Sequence, residues 1–266
     1  MERTVVMKFG GASLASPEHF TRVAALIAET QQTHKRIAVV VSAMGNTTNQ
    51  LIALAHQVHE NPPRREVDML VSVGERISMA LLAMSLDRIG IRACSFTGSQ
   101  SGIITCQTHG DAQIVDVRPY RLLTHIDRNE VVIVAGFQGV SLEKEITTLG
   151  RGGSDTSAVA LGLALQAEEV RFYKDVEGVY SDDPKVDPEA QLFEALTYDE
   201  MEALALKGCK VLHLRAIRLA KRNDLPLRIR SFSEGALSKG TLITPQGKST
   251  RSAPQYEMEV VSSCLP

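Results

Sequence analysis

Residues 4–13 read Thr-Val-Val-Met-Lys-Phe-Gly-Gly-Ala-Ser, and this stretch sets the fold class. Its apolar run, Val5-Val6-Met7, is continuous rather than alternating, as in a strand buried on both faces of a parallel sheet. Lys8 follows the run, and the pair Gly10-Gly11 comes just after it. Ser16-Pro17 then offers a helix start, with serine as N-cap and proline at the first helical position, where its fixed φ suits the helix. Phe20, Val23, Ala24, Ile27 and Ala28 supply one apolar helical face, and Arg36–Ser42 returns as a second buried strand. Strand, helix and strand in that order make a βαβ unit, whose crossover is right-handed.

Outward from this unit, short β-branched runs alternate with longer segments of helical period, the pattern of an α/β fold. The spacing predicts a long helix over Met69–Ile89 stopped by Gly90, a strand at Val131–Ala135, a helix over Ser154–Gln166 and a strand at Val170–Tyr173. Asp182–Pro188, with Pro184 and Pro188, reads as a loop. Met201–Lys207 and His213–Asn223 read as helices and Leu227–Ser231 as the closing strand. After Ile243 the chain turns polar, with Pro245, Gly247 and Pro254, and reads as a tail. There is no internal repeat.

A net charge of −2 with scattered basic residues predicts no nucleic-acid partner and no polybasic membrane surface. The N-terminal apolar run is too short for a signal peptide, and no window is expected to approach the roughly 18–20 apolar residues of a membrane span. The expected location is the cytoplasm, and Cys94, Cys106, Cys209 and Cys264, lacking zinc or redox spacing, are expected as reduced thiols.

Five segments carry candidate chemistry. Lys8–Ser13 sits where a strand ends, and paired glycines let backbone N–H groups approach an anion beside a lysine charge. Ser42–Asn49 follows the second strand and reads either as a ligand loop at the carboxyl end of a strand or as a hydroxyl-rich helix cap. Thr147–Ser157, T-T-L-G-R-G-G-S-D-T-S, surrounds Arg151 with glycines. An arginine fork suits a carboxylate, and Asp155 suits an ammonium, so together they match the two ends of a free amino acid. The plain alternative is an Arg151–Asp155 salt bridge. Tyr173–Lys185 places Asp175 after a strand and Tyr180 where it can stack on a base, against the reading of a simple surface turn. Gly208–Leu212 holds Lys210 between two helices. Gly247-Lys248-Ser249 is not a P-loop, because Leu242 stands where the first glycine is required. Gly98–Gly102 is not a nucleophile elbow, because its centre is Gln100.

Taken in order, K-F-G-G-A-S (8–13), S-A-M-G-N-T-T-N (42–49), V-G-E-R-I-S (73–78), S-F-T-G-S-Q (95–100), I-V-A-G-F-Q-G (133–139), T-T-L-G-R-G-G-S-D-T-S-A-V-A-L (147–161), D-V-E-G-V-Y-S-D-D-P (175–184) and G-C-K-V-L (208–212) closely resemble the aspartate kinases. The resemblance runs from about Thr4 to Ile243. It implies the amino acid kinase fold, a three-layer αβα sandwich with a mostly parallel central sheet. It also implies a catalytic domain over 1–245, with an amino-acid-binding part to about 165 and an ATP-binding part over about 166–245. Residues 246–266 would be a short tail, without the ACT regulatory domains usual in the family.

The implied activity is ATP-dependent phosphorylation of the L-aspartate side chain to 4-phospho-L-aspartate, the first step of lysine, threonine and methionine biosynthesis. The implied cofactors are ATP and magnesium, carried mainly on the ATP phosphates, and the implied assembly is a homodimer. By motif match Lys8, Asp155 and Lys210 would be catalytic, while Thr48, Glu75, Arg151, Ser154 and Asp155 would bind substrate. Lys8, Gly10, Gly11, Lys174, Asp175, Tyr180, Lys185 and Lys210 would meet the nucleotide. Ala12, Lys174 and Lys185 depart from the residues the family usually has there. The rival readings are a kinase of the same fold for glutamate, acetylglutamate or a nucleotide monophosphate, and a non-catalytic nucleotide-binding regulatory subunit. A carboxylate of ordinary pKa near ~3.9 is ionised at neutral pH, so its phosphorylation calls for charge compensation rather than a general base.

Overall fold

The structure is a computed structural model and describes residues 3–184, 186–234, 238–245 and 253–258. Its elements in chain order are β1 (Thr4–Phe9), α1 (Pro17–Gln31), β2 (Arg36–Val41), α2 (Thr47–Val58), α3 (Arg64–Val71), α4 (Val73–Asp87), β3 (Ala93–Phe96), β4 (Ile103–Thr105), β5 (Ile114–Val117) and α5 (Tyr120–Ile126). There follow β6 (Val131–Ala135), β7 (Gln138–Ser141), β8 (Ile146–Thr148), α6 (Gly153–Ala164), β9 (Glu169–Lys174), β10 (Ala195–Thr197), α7 (Tyr198–Leu206), α8 (Leu214–Arg222), β11 (Leu227–Ser231) and β12 (Thr241–Thr244).

Eight strands form one sheet in the order β10-β12-β11-β9-β1-β2-β6-β3, parallel throughout except where β11 meets β12. The continuous apolar strands are buried on both faces, and side-chain alternation sorts their residues to opposite cores. Val5, Met7, Phe9, Val39 and Val41 face α1 and α4, against Phe20, Val23, Ile27, Leu82 and Leu86. Val6, Val40, Val134 and Phe172 face the other side, against Val159 and Leu161 of α6, Leu122 of α5 and Ile217 of α8. Helices on both faces of a mainly parallel sheet give the three-layer α/β sandwich expected from the sequence. The expected division near residue 165 falls between α6 and β9, and β9 pairs directly with β1, so both parts share this sheet.

A second sheet, β5-β4-β7-β8, has antiparallel outer pairs and a parallel centre. It was not read from the sequence, because its strands of three or four residues are too short to show a period. Several boundaries also differ. The helix expected over Met69–Ile89 starts earlier and breaks at Ser72, which separates α3 from α4. Gly90 does end it, with a left-handed φ of 77°. Ser16 stands at the N-cap of α1 with Pro17 in the first turn, as expected, but its hydroxyl donates to Glu18 Oε2 at 2.5 Å instead of capping a backbone N–H, and β12 adds a strand after the expected last one.

One expectation needs correction. The run Arg64–Asp87 is long and apolar enough to span a membrane by composition, with a mean hydropathy of 1.5 over its best window, where Leu, Met, Val and Ala outweigh at most two charged residues. Within it Asp68 and Glu75 are buried against other elements, while Met69, Val73, Ile77, Leu81 and Met84 form an exposed apolar row. Of the segment 246–266 expected as a tail, the described part, 253–258, lies against β5 and α8: Ile114 N–H donates to Glu257 Oε2 at 2.8 Å, and Arg222 donates to Tyr256 O at 2.6 Å. Cys94, Cys106 and Cys209 are free thiols, and Cys264 lies outside the described residues.

Candidate active site

The topology itself selects one end of the sheet. β1 sits between β2 and β9, and the chain reaches these neighbours by helices on opposite faces, α1 and α6. Connections that diverge this way open a crevice at the carboxyl ends of the strands, where open α/β sheets bind ligands. Lys8 stands at that end of β1, level with Val40 of β2 and Phe172 of β9. Strand parity turns Lys8 to the same side as Val6, which is the side of α6.

There Lys8 meets Asp155 in the first turn of α6, with Nζ 2.5 Å from Oδ1. Lys174, at the carboxyl end of β9, places its Nζ 3.3 Å from Oδ2 of the same carboxylate. Burial alone would raise the Asp155 pKa, but the ammonium groups of Lys174 and Lys8 outweigh it and hold the carboxyl at about 2. Burial also pulls Lys8 below the ordinary lysine range, and Asp155 opposes that pull. The ionised Asp155 carboxylate beside Lys8 Nζ makes the contact a charged pair in which the carboxylate is the fixed partner. The trio carries one net positive charge at the positive end of the α6 dipole. The sequence reading had Asp155 receive a substrate ammonium; here both its oxygens are committed to lysines.

A second carboxylate has the opposite character. Glu75, in the first turn of α4, is 3% exposed. Its Oε1 accepts the Ala43 N–H at 3.0 Å, while Oε2 has no hydrogen-bond partner among the described residues. Burial raises its pKa to about 7, against the lowering effect of its backbone hydrogen bonds. A buried, half-satisfied carboxylate of this kind is poised for a cation. Gly74 makes the placement possible, because a Cβ there would lie 2.7 Å from Ala43 Cβ and push α4 off the 42–47 loop. Thr48 lies half-buried on that loop's far side, in the first turn of α2.

The glycine-rich stretch connects β8 to α6. Its base is pinned by Thr148 Oγ1, which donates to fully buried Asp68 Oδ1 at 2.5 Å, and by Leu149 N–H, which donates to Phe137 O at 2.8 Å. Gly152 has φ +74°, and a Cβ at this position would lie 2.0 Å from the His213 ring, so only glycine fits. Ser154 is buried beside Gly136. Arg151 projects from the turn, exposed, with no ion pair or hydrogen bond among the described residues; the Arg151–Asp155 salt bridge does not form.

Beyond Lys174 a cleft of about 540 Å³ opens between the segment after β9 and the α7–α8 connection. Lys174, Asp175, Gly178, Tyr180, Asp182, Asp183, Lys207 and Lys210 line it, so four residues assigned to the nucleotide from sequence border one cavity. Gly10 lies beside Lys8, its Cβ position 3.6 Å from Nζ, and the Gly11 carbonyl accepts the Gly45 N–H at 3.0 Å. Lys185 lies outside the described residues.

Sequence reading missed Lys207, Asp68, His213 and Arg215. Asp68 shares α3 with Arg64, Arg65 and Glu66, and Arg215 sits among other basic residues of an amphipathic helix, so neither carries a local signal. Phe137 was quoted only within a motif, yet its φ of +68° is unusual for a bulky residue and marks strain at the edge of the glycine loop.

The pattern of the Amino acid kinase family matches residues 3–231, which is most of the chain. The chain belongs to that family. Within the amino acid kinase family it is 49% identical over 242 residues to the aspartokinase of Mycolicibacterium smegmatis, a match that covers 90% of this chain and 58% of the relative. The chain thus spans little more than half the length of the curated relatives it matches. Among solved structures, the aspartate kinase of Synechocystis superposes with a TM-score of 0.83 at 43% identity, covering 94% of this chain and 41% of that one. Escherichia coli aspartokinase III, crystallised with aspartate and ADP, superposes with a TM-score of 0.82 at 27% identity, covering 92% of this chain and 65% of that one.

Proposed function

We propose that this amino acid kinase transfers the γ-phosphoryl group of ATP to the side-chain carboxylate of L-aspartate, giving 4-phospho-L-aspartate. The observation that carries the proposal is the Lys8–Asp155–Lys174 cluster, whose Lys174 lines the same cleft as Lys210 and whose Lys8 feels the charge of the half-satisfied buried carboxylate Glu75. The similarity to aspartokinases along the chain supports the choice of acceptor.

In this reading ATP occupies the cleft, with Tyr180 against the base and Asp175, Lys207 and Lys210 toward the ribose and phosphates. Lys8 and Lys174, with one net positive charge left after Asp155, draw the phosphoryl group forward. Asp155 acts as the fixed counter-charge that keeps both ammonium groups in place. Glu75 Oε2 receives the amino group of aspartate, Arg151 swings onto its α-carboxylate, and Ser154 and Thr48 complete the pocket. A side-chain carboxylate oxygen then attacks phosphorus in line, the bond to the ADP oxygen breaks, and no proton needs to move. Among the described residues no three acidic, histidine or cysteine groups converge, so magnesium would ride chiefly on the phosphate oxygens, with Asp182 and Asp183 nearby.

The exposed apolar row on α3 and α4 supports a homo-oligomer, which light scattering in solution would test. The cytoplasm is the location we propose, on the strength of the metabolic substrates. Hydroxylamine trapping of the acyl phosphate, with ATP and either L-aspartate or L-glutamate, tests the activity. Trapped aspartyl hydroxamate is expected. Turnover of glutamate alone would move the chain to the rival substrate, and binding of ATP without any turnover would leave the non-catalytic reading.

A further inference from the structure

We infer that Arg215 is a positioning residue that fixes the base of the glycine-rich loop, and that Glu257, from the docked segment 253–258, holds Arg215 to that task. The kinetic part of this inference rests on the proposed aspartate kinase activity; the structural part does not.

Arg215 projects from the first turn of α8, and its guanidinium distributes its donors in two directions. Toward the loop, Nη1 donates to Leu149 O and Nη2 donates to Ala112 O at 2.8 Å. Toward the C-terminal segment, Nε donates to Glu257 Oε1 at 2.8 Å and Nη2 to Glu257 Oε2 at 2.9 Å, a fork-on-fork pair. Nη1 also lies 3.3 Å from the exposed Asp111 carboxylate. The two carbonyls that Arg215 binds belong to neighbouring backbone segments, because Ala112 N–H donates to Thr148 O at 2.9 Å. Arg215 therefore spans the point from which the loop departs. Beyond that point Arg151 has no partner among the described residues, so its direction depends on how the base is held.

The same turn of α8 touches the loop twice. The His213 ring packs over Gly152, and His213 Nδ1 accepts the Arg215 N–H at 3.4 Å. The residues just before it, Gly208–Val211, form one wall of the nucleotide cleft. One rigid turn thus links the cleft wall to the amino-acid loop. A planar fork is needed for this arrangement, since a lysine at 215 would supply charge without serving two carbonyls and a carboxylate at once. Glu257 is itself fixed, its Oε2 accepting Ile114 N–H at 2.8 Å, and its side chain is only 12% exposed. The C-terminal segment is therefore part of the amino-acid site although it touches no substrate.

The test compares the full chain with its Glu257→Gln, Arg215→Lys and Arg215→Ala variants, by steady-state kinetics in both substrates and by hydrogen exchange of backbone amides. Glu257→Gln keeps the shape and removes the charge; it is expected to raise the aspartate KM roughly tenfold, as for loss of one charge-assisted hydrogen bond, while the ATP KM stays within about twofold. Arg215→Lys is expected to behave like Arg215→Ala rather than like the wild type, because charge alone does not restore the fork. Amides of residues 149–153 are expected to exchange faster in Glu257→Gln while those of β1 and β9 do not change. Wild-type aspartate saturation together with unchanged exchange at 149–153 in Glu257→Gln and Arg215→Lys would overturn the inference. So would equal rises in both KM values with faster exchange throughout, which would mark a merely structural tie. If the wild type turned over no aspartate, the proposed function would fall, and the exchange comparison would still decide the role of Arg215.

Discussion

Replacing Glu75 by glutamine should make the protein more stable above neutral pH while disabling its amino-acid site. Folding lifts the Glu75 pKa from its ordinary 4.5 to about 7, because the side chain is buried with one oxygen unpaired. The native state therefore binds this proton more tightly than the unfolded chain does. Below pH 4.5 both states hold the proton and the favourable contribution is complete; as pH rises through about 7 the native group must ionise in place and the contribution is lost. A shift of this size is worth about 3 kcal/mol at high pH. Glutamine is uncharged at every pH and keeps an oxygen for the Ala43 N–H, so the variant escapes the loss. At pH 8.5 its melting temperature should exceed the wild type's by up to roughly 6–12 °C, and the gap should close below pH 5. The shifts of Lys8 and Asp155 are common to both proteins and largely cancel in the difference. The same variant should lose most of its affinity for aspartate, whose ammonium would face an amide. Thermal melts across pH 4–9, paired with aspartate titration, make the measurement. A stability difference that is flat in pH, or a glutamine variant that melts lower at pH 8.5, would refute the account of a buried, half-satisfied carboxylate.

Lys8→Ala should lower kcat by about 10²–10³ with a small change in aspartate KM, since it removes charge compensation rather than an amino-acid contact; near-normal turnover would take Lys8 out of the transfer step. Arg151→Ala should leave the melting temperature within the change expected of a surface substitution, because the side chain has no partner among the described residues, yet raise the aspartate KM by an order of magnitude or more. Unchanged aspartate saturation would show that the loop does not close on the α-carboxylate. Gly152→Ala should cost stability by roughly 1–3 kcal/mol and aspartate affinity as well, because a Cβ at φ +74° would strike the His213 ring; wild-type values in both would mean that His213 moves freely.

Much of this was legible in the sequence, for identifiable reasons. The β1–α1–β2 unit announced itself through continuous apolar runs and Ser16-Pro17, and Lys8 and Gly10 lie at the strand end where such units bind ligands. Of the residues assigned to a nucleotide after β9, Asp175, Tyr180 and Lys210 border one cleft, and Lys185 lies outside the described residues. What the sequence did not reveal are pairings across the fold. That Asp155 would be held by Lys8 and Lys174, from 147 and 19 residues away, rather than by neighbouring Arg151, depends on β1 and β9 lying side by side. Nor does any local pattern distinguish Arg215 from Arg218 or Arg222, because its partners lie just before β5, at the base of the glycine loop and on the C-terminal segment. The short second sheet was invisible for a different reason: strands of three and four residues carry too few side chains to show a period.

The alternation along β1 also limits how this kind of site can change. A strand repeats its facing every second residue, about 6.5–7 Å along its axis, so the nearest other positions from which a lysine could aim at the α6 side are 6 and 10. Position 6 is a fully buried valine between two helices' worth of packing, and position 10 is a glycine already past the strand. Sliding the charge by a single residue would drive it into the Phe20 and Leu82 core, and deleting one residue from β1 would do the same to the whole strand. The reactive charge is thus indexed to the sheet in coarse steps. Fine adjustment of phosphoryl transfer falls instead to the groups around it: the reach of Lys174, the seat of Asp155 and the set of the glycine loop.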